Sequence, residues 1–314
     1  MPDHRFELPP ASDGQIPVVH CWHTRETGRE TARGAVILAH GMGEHALRYA
    51  SLASSLTGAG FEVYANDHRG HGVTVKDASQ LGEFGPDGWR GLIDDELQLI
   101  QVIRENHTGL LLIMGHSMGS MIVQHLLTEA SDLIDGAALS GTTAVDVMAA
   151  AVAAQANDGE VDLFSSLNAA FEPVRTESDW LSRDPDQVDL YVKDPLCGFS
   201  VSEASLESLT QAGVAYSTKE KTDQIRKDLP IYLFAGASDP VGLGGELVKM
   251  VAERYRAAGI KDVTLRLYPG ARHEVFNETN RAEVEADFLA WATRVRDGCV
   301  ENGVGTRLTK GASS

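Results

Sequence analysis

Short apolar runs recur along this chain, and each ends in a loop rich in glycine, histidine or aspartate. Ala35-Val-Ile-Leu-Ala39 runs into His40-Gly-Met-Gly-Glu-His45, and Phe61-Glu-Val-Tyr-Ala-Asn66 runs into Asp67-His-Arg-Gly-His-Gly72. Leu110-Leu-Leu-Ile-Met114 runs into Gly115-His-Ser-Met-Gly119. Gly136 to Ser140 and Pro230 to Gly236 have the same character, and Val263 to Leu267 is a further strand. Runs this short and largely apolar read as strands covered on both faces. Helical spacing fills the gaps. It predicts helices over residues 46–58, ending at Gly58 and Gly60, over 89–106 (Leu92, Ile93, Leu97, Ile100, Ile103), and over 118–130, 243–258 and 279–297. Two earlier strands, His4 to Leu8 and Pro17 to Trp22, flank a Pro-Pro-Ala-Ser-Asp-Gly turn and predict a hairpin. The alternation predicts an α/β protein, with a mostly parallel central sheet flanked by helices and an antiparallel start.

The rhythm breaks after the sixth strand. Residues 141–228 carry Ala-rich helical stretches (Val145 to Ala156, Leu163 to Phe171) and acidic loops such as Arg175-Thr-Glu-Ser-Asp179, with no buried strand. The expected organisation is one discontinuous core, 1–140 and 229–300, with a helical cap, 141–228, inserted after the sixth strand. The cap would sit over the carboxyl ends of the strands, where open α/β sheets bind ligands. The segment 301–314 lacks apolar periodicity and is expected to be a flexible tail.

Gly115-His-Ser-Met-Gly119, between a strand and a helix, has the form of a nucleophile elbow, a sharp turn that forces its serine into a strained conformation. The two glycines are needed because a Cβ at either would meet neighbouring backbone. A serine hydroxyl needs a base within hydrogen-bond reach, and the base needs an orienting group. The chain supplies both in the order Ser, Asp, His, each just past a strand. Asp239 lies in Gly236-Ala-Ser-Asp-Pro-Val, and His273 lies in Pro269-Gly-Ala-Arg-His-Glu274. His273 would accept the Ser117 proton, and Asp239 would hold the imidazole tautomer. The N–H groups of Met118, at a helix N-terminus, and Met42, in the loop after an earlier strand, are the candidate oxyanion donors.

Composition narrows the partners. A formal charge of -18 argues against nucleic acid, whose phosphates need a basic surface. Three cysteines, far apart and without a C-x-x-C pair, indicate a reducing compartment with neither disulfides nor a zinc site. The N-terminus has no secretory pattern, and no apolar run approaches a transmembrane span, so a cytoplasmic protein is expected. His40, His45, His68, His71 and His116 match no metal-binding motif. They read as histidines tied to carbonyls and carboxylates or simply packed. No metal or cofactor is called for.

With these residues assembled, the chain resembles the monoacylglycerol lipase and lysophospholipase branch of the α/β-hydrolases, which also covers bacterial serine-aminopeptidase-like proteins. The likeness rests on His40-Gly-Met-Gly-Glu-His45, Asp67-His-Arg-Gly-His-Gly72, Gly115-His-Ser-Met-Gly119, Ser238-Asp-Pro240 and Gly270-Ala-Arg-His273. It implies the α/β-hydrolase fold, a structural role for the turn 67–72 and a serine hydrolase acting on a small, acyl-bearing ester. Met42 stands where animal monoacylglycerol lipases carry a small residue. Candidate substrate contacts are Val145, Met148, Phe164 and Phe171 in the cap, with Cys197 near the pocket mouth. Two alternatives stay open at this point. An aminopeptidase or amidase could use the same triad, with Glu172, Glu177 and Asp179 anchoring a substrate ammonium. A non-catalytic binder on the same scaffold is the other, although such proteins usually lack a triad member. The sequence sets no oligomeric state.

Overall fold

A computed structural model describes residues 1–24, 33–155 and 167–301. Eight strands form one sheet: β1 (His4–Glu7), β2 (Val18–Trp22), β3 (Gly34–Ala39), β4 (Phe61–Asp67), β5 (Leu111–His116), β6 (Gly136–Ser140), β7 (Ile231–Gly236) and β8 (Val263–Tyr268). Their order is β1-β2-β4-β3-β5-β6-β7-β8. The hairpin β1–β2 and the pair β2–β4 are antiparallel, and every later pairing is parallel. The chain passes from β3 to β4 on one side and returns to β5 on the other. The carboxyl ends of β3 and β5 therefore bound the crevice at the point where strand order reverses.

The continuous apolar runs are explained by a sheet buried on both faces. Along β3, Ala35 and Ile37 face one hydrophobic cluster while Val36 and Leu38 face the other. Leu111 and Ile113 alternate with Leu112 and Met114 in the same way along β5. The first cluster takes in α2 (Gly88–Asn106), α3 (Met118–Ala130) and α8 (Glu246–Ala257) through Ile100, Ile122, Leu127, Val248 and Val251. The second takes in α1 (Ala50–Gly58) and α9 (Arg281–Glu301) through Leu52, Leu56, Phe288 and Trp291. Each such side chain contributes about 1.5–3 kcal/mol by leaving water, so the strand ends rest on a firm base.

Several elements differ in detail from the sequence expectation. The helix predicted over 46–58 opens as a single 3-10 turn, Ala46–Tyr49, before α1. The helix predicted from 243 starts at Glu246, because Leu243, Gly244 and Gly245 all have positive φ (49°, 65° and 94°) and cannot continue a right-handed helix. At the C-terminus α9 runs on through Glu301, so the expected tail loses its first residue to the helix, and 302–314 lie outside the described residues.

Between β6 and β7 the described residues hold helices and turns. These include α4 (Val145–Gln155), α5 (Pro185–Lys193), α6 (Glu203–Tyr216) and the single turn α7 (Lys219–Thr222). Of the predicted helix Leu163 to Phe171, residues 163–166 lie outside the described residues, and Ala169–Phe171 is one 3-10 turn. Asp184 caps α5 with Pro185 in its first turn, and the Ser202 hydroxyl caps α6 by accepting from Ser205 N–H. Helix α6 packs tightly on α4: a Cβ at Gly213 would lie 2.1 Å from Val145 Cγ1. It also approaches α2 and α3, so this part of the insertion rests on the helical layer of the core.

Candidate active site

Strand β5 ends in a turn that only special backbone conformations permit. Ser117 has φ 51° and ψ -120°, a strained pair for a residue with a side chain, and it caps α3. The flanking glycines are required by close approach. A Cβ at Gly115 would stand 2.2 Å from Gly119 O, and one at Gly119 would stand 2.1 Å from Ala39 O. The elbow is therefore pressed against the end of β3 and the loop that follows it. A Cβ at Gly41 would come within 3.2 Å of Ser117 Cβ, which brings the His40–His45 loop directly beside the serine.

Asp239 and His273 follow β7 and β8 and are buried together. His273 Nδ1 lies 2.9 Å from each Asp239 carboxylate oxygen. The Nδ1–H donates to the carboxylate, leaving Nε2 unprotonated and able to accept. Asp239 is fixed in turn, its Oδ1 accepting the Val241 N–H at 2.9 Å. The two loops are clamped: Ser238 N–H donates to Ala271 O at 2.9 Å, and a Cβ at Gly236 would meet Ala271 O and Arg272 O at 2.1 Å. Burial would depress the His273 pKa, but the Asp239 charge and hydrogen bond outweigh it, and the net shift is upward from the ordinary histidine value.

The structure brings His273 to the elbow. Its ring centroid is 4.7 Å from that of His116, the residue before Ser117, and a Cβ at Gly141 would touch both imidazoles at 3.1 Å. Among the described residues no hydrogen bond joins Ser117 Oγ to His273. Such bonds are often long until substrate tightens the site. His116 itself packs: its Nδ1 lies 3.2 Å from Ser140 Oγ, and burial with the neighbouring His273 charge lowers its pKa to about 4.

His40 and His71 are tied to the backbone through both ring nitrogens, which sets their tautomers. His40 Nε2 accepts the His68 N–H at 3.0 Å, so its Nδ1 carries the proton and donates to Gly41 O at 2.7 Å. His71 Nε2 accepts the Gly43 N–H at 3.3 Å while its Nδ1–H donates to Arg69 O at 2.8 Å. Burial holds both neutral, His71 with a pKa near 4 and His40 well below its ordinary value. The Asp67–Gly72 turn is held by Asp67, which accepts the Ala46 and Val73 N–H groups at 2.9 and 2.8 Å. His45 Nε2 pairs with Asp194 at 2.9 Å, and Cys197 Sγ lies within 4.8 Å of both ligand atoms.

Of the two candidate oxyanion donors, Met118 opens α3 and Met42 sits between two committed amides. Gly41 N–H donates to Glu44 Oε1 at 2.5 Å and Gly43 N–H donates to His71. Neither the Met42 nor the Met118 N–H is a donor in the described hydrogen bonds. Of the candidate substrate contacts, Val145 is buried between α4 and α6, and Met148 is partly buried with its sulfur 3.0 Å from Thr143 Oγ1. Phe171 carries the Arg272 guanidinium over its ring at 4.1 Å. Cys197 is half-buried beside Arg48, Glu44 and Glu274, where burial pushes its thiol pKa up. Phe164 lies outside the described residues.

Sequence reasoning missed several groups around the site. Trp180, from the insertion, covers the His273 ring at 5.0 Å between centroids, and Glu274 N–H donates to Leu181 O at 2.8 Å, strapping this segment to the histidine loop. Arg48, Glu44 and Glu274 form a charged cluster beside it. Glu44 and Glu274 sat in quoted loop motifs with nothing to mark them as partners, and Arg48 lay outside every motif.

A strained serine after a central strand, beside a buried His–Asp pair at the ends of β7 and β8, defines a serine hydrolase of the α/β-hydrolase fold. The family model described as Serine aminopeptidase, S33 matches residues 30–280, and the chain belongs to that family. It is 30% identical to the monoacylglycerol lipase of Mycolicibacterium smegmatis over 92% of this chain and 96% of the relative. It is 27% identical to human monoglyceride lipase, over 85% and 82% of the two chains. Among solved structures, a highly thermostable carboxyl esterase from Bacillus coagulans in complex with glycerol superposes with a TM-score of 0.83 at 28% identity, covering 94% of this chain and 99% of that one.

Proposed function

We propose that this chain hydrolyses carboxylic esters bearing an acyl chain, of monoacylglycerol or lysophospholipid type, through an acyl-Ser117 intermediate. The observation that carries the reading is the His273–Asp239 pair, 2.9 Å apart and buried, beside a serine held at φ 51°. As Ser117 Oγ attacks the ester carbonyl, His273 Nε2 takes its proton, and Asp239 stabilises the resulting imidazolium. The Met42 and Met118 N–H groups receive the negative charge that develops on the carbonyl oxygen. Collapse breaks the bond to the alcohol, which leaves with the proton from His273. A water, deprotonated by the same nitrogen, then attacks the acyl-enzyme and releases the acid.

The substrate class is inferred from the lipases and esterase to which the chain is similar and from the apolar residues of the insertion 141–228, which acts as the cap. An ester is favoured over an aminoacyl amide by the engagement of Asp179, one of the three acidic groups that would hold an ammonium. Asp179 accepts from Thr176 Oγ1 and Arg175 N–H, both at 2.6 Å, and the positive Arg272 lies beside it, with its Nη1 on Asp179 O. Glu172 and Glu177 are exposed. No helix among the described residues is long and apolar enough to cross a membrane, and we place the activity in the cytoplasm, on small-molecule esters rather than nucleic acid.

The test is an activity screen of p-nitrophenyl esters over acyl chain length alongside aminoacyl anilides, with fluorophosphonate labelling of the wild type and Ser117→Ala. Ester turnover lost in Ser117→Ala, with the fold intact by circular dichroism, supports the reading. Turnover of anilides alone would make the chain a peptidase. A folded wild type that takes up no label would make it a binder.

A further inference from the structure

Arg48 sits where two loops of the proposed site meet the insertion. Its Nη1 donates to Glu44 Oε2 at 2.7 Å, and its fork engages both oxygens of Glu274, Nη2 reaching Oε2 at 2.7 Å and Nη1 reaching Oε1. Glu44 in turn holds the oxyanion loop: its Oε1 accepts the Gly41 N–H at 2.5 Å and the Tyr49 hydroxyl at 2.7 Å. Glu274 directly follows His273 and is anchored through its own N–H to Leu181 O. Above the guanidinium lies the ring of Tyr191, from α5, 4.8 Å from Arg48 Cζ. All three charged side chains are at least largely buried. A planar five-donor fork in such a place fixes geometry in a way a single ammonium cannot.

We propose that Arg48 is a positioning residue for the reaction, locking the loop that carries Met42 to the loop that carries His273 through Glu44 and Glu274. The proposal rests on the reading of Ser117, Asp239 and His273 as a hydrolytic triad. One arginine thereby sets two distances at once, that of the oxyanion donor and that of the general base from the elbow. Its charge also has a consequence. The groups facing His273 are Asp239 from the loop after β7, Glu274 from its own loop, Glu44 from the oxyanion loop and His116 from the elbow. Both Glu274 and Glu44 raise the His273 proton affinity, and Arg48 is ion-paired to both.

The experiment compares Arg48→Gln, Arg48→Lys and Glu274→Gln with a wild type already shown to hydrolyse a p-nitrophenyl ester and to take up fluorophosphonate. Failure of that first step concerns the hydrolase reading, not this one. Displacing a catalytic loop by about an ångström costs on the order of a hundredfold, so Arg48→Gln is expected to lower kcat by about ten- to a hundredfold with little change in KM. Arg48→Lys, which keeps the charge but not the fork, should recover only part of that loss. Glu274→Gln removes one negative charge facing His273, so the acidic limb of its kcat/KM profile should move to lower pH. Near-UV circular dichroism checks the fold. If Arg48→Gln does not fold, the other two variants carry the test. Loss confined to KM would make Arg48 a substrate contact and overturn the proposal. So would kcat within twofold of wild type in Arg48→Lys and Glu274→Gln, or an unmoved acidic limb in Glu274→Gln.

Discussion

Replacing Gly119 with alanine tests whether the elbow and the oxyanion loop are held in register by backbone contact. The new Cβ would lie 2.1 Å from Ala39 O and 2.6 Å from His40 O, whereas carbon and its neighbours rest comfortably at about 3.5 Å. Both obstacles are main-chain atoms, so no side chain can swing away. The elbow and the end of β3 must part by roughly an ångström, and because Ala39 and His40 lead into Met42, that movement separates Ser117 from its proposed oxyanion donor. Overpacking of this kind costs about 1–3 kcal/mol of stability. The catalytic loss should be larger, on the order of a hundred- to a thousandfold in kcat, the usual effect of removing one oxyanion-hole donor. Gly58→Ala is the matched control. Gly58 closes α1 with nothing within 4 Å of the added methyl, so kcat should not change and stability should rise by up to about 1 kcal/mol. Initial rates on a p-nitrophenyl ester and thermal melts measure both quantities. A Gly119→Ala protein with wild-type melting temperature and kcat within threefold would show that the close approach does not set the geometry.

The His273 pKa lies above its ordinary value because Asp239 outweighs burial. Activity should therefore fall as pH drops through a midpoint above about 6.5, and a profile flat between pH 5 and 8 would remove His273 as the base. Asp239→Asn should lower kcat by about three to four orders of magnitude through the wrong tautomer, and a loss under tenfold would contradict that role. Glu96 is fully buried, its Oε1 3.5 Å from His68 Nδ1, and burial raises its pKa to about 8. The native state then keeps a proton that the unfolded chain releases above its ordinary value near 4.3, so this group makes stability fall as pH rises between about 4.5 and 8. Glu96→Gln should flatten that slope in urea melts, and an unchanged slope would show that Glu96 is ionised in the fold.

What the sequence revealed and what it concealed follow from how each part of the site is built. Ser117 and Asp239 lie within three residues of the end of a strand run and His273 within six, and a mostly parallel sheet delivers such ends to one edge. Short-range pattern was therefore enough to propose a meeting of residues more than a hundred positions apart. The elbow glycines were legible for the same reason, since the obstruction comes from the strand and helix they join and from the adjacent strand. Arg48 and Glu274 had no such pattern. They are 226 positions apart, and their pairing depends on how the 3-10 turn after β3 faces the loop after β8, which no periodicity records. The insertion was harder still. Helix α6 has its cap signal at Ser202 and α5 has Asp184-Pro185, but which faces they bury is decided by distant partners, α2, α3 and α4 for α6 and Arg48 beneath Tyr191 for α5. Trp180 reaches His273 only because Leu181 O holds the Glu274 N–H and Glu278 accepts from both the Arg183 and Arg272 N–H groups, at 3.0 and 2.9 Å. Sheet-end chemistry is thus written in local sequence, whereas the contacts that tune it are written in pairings across the chain. Specificity, which depends on the latter, has to be read from the folded structure.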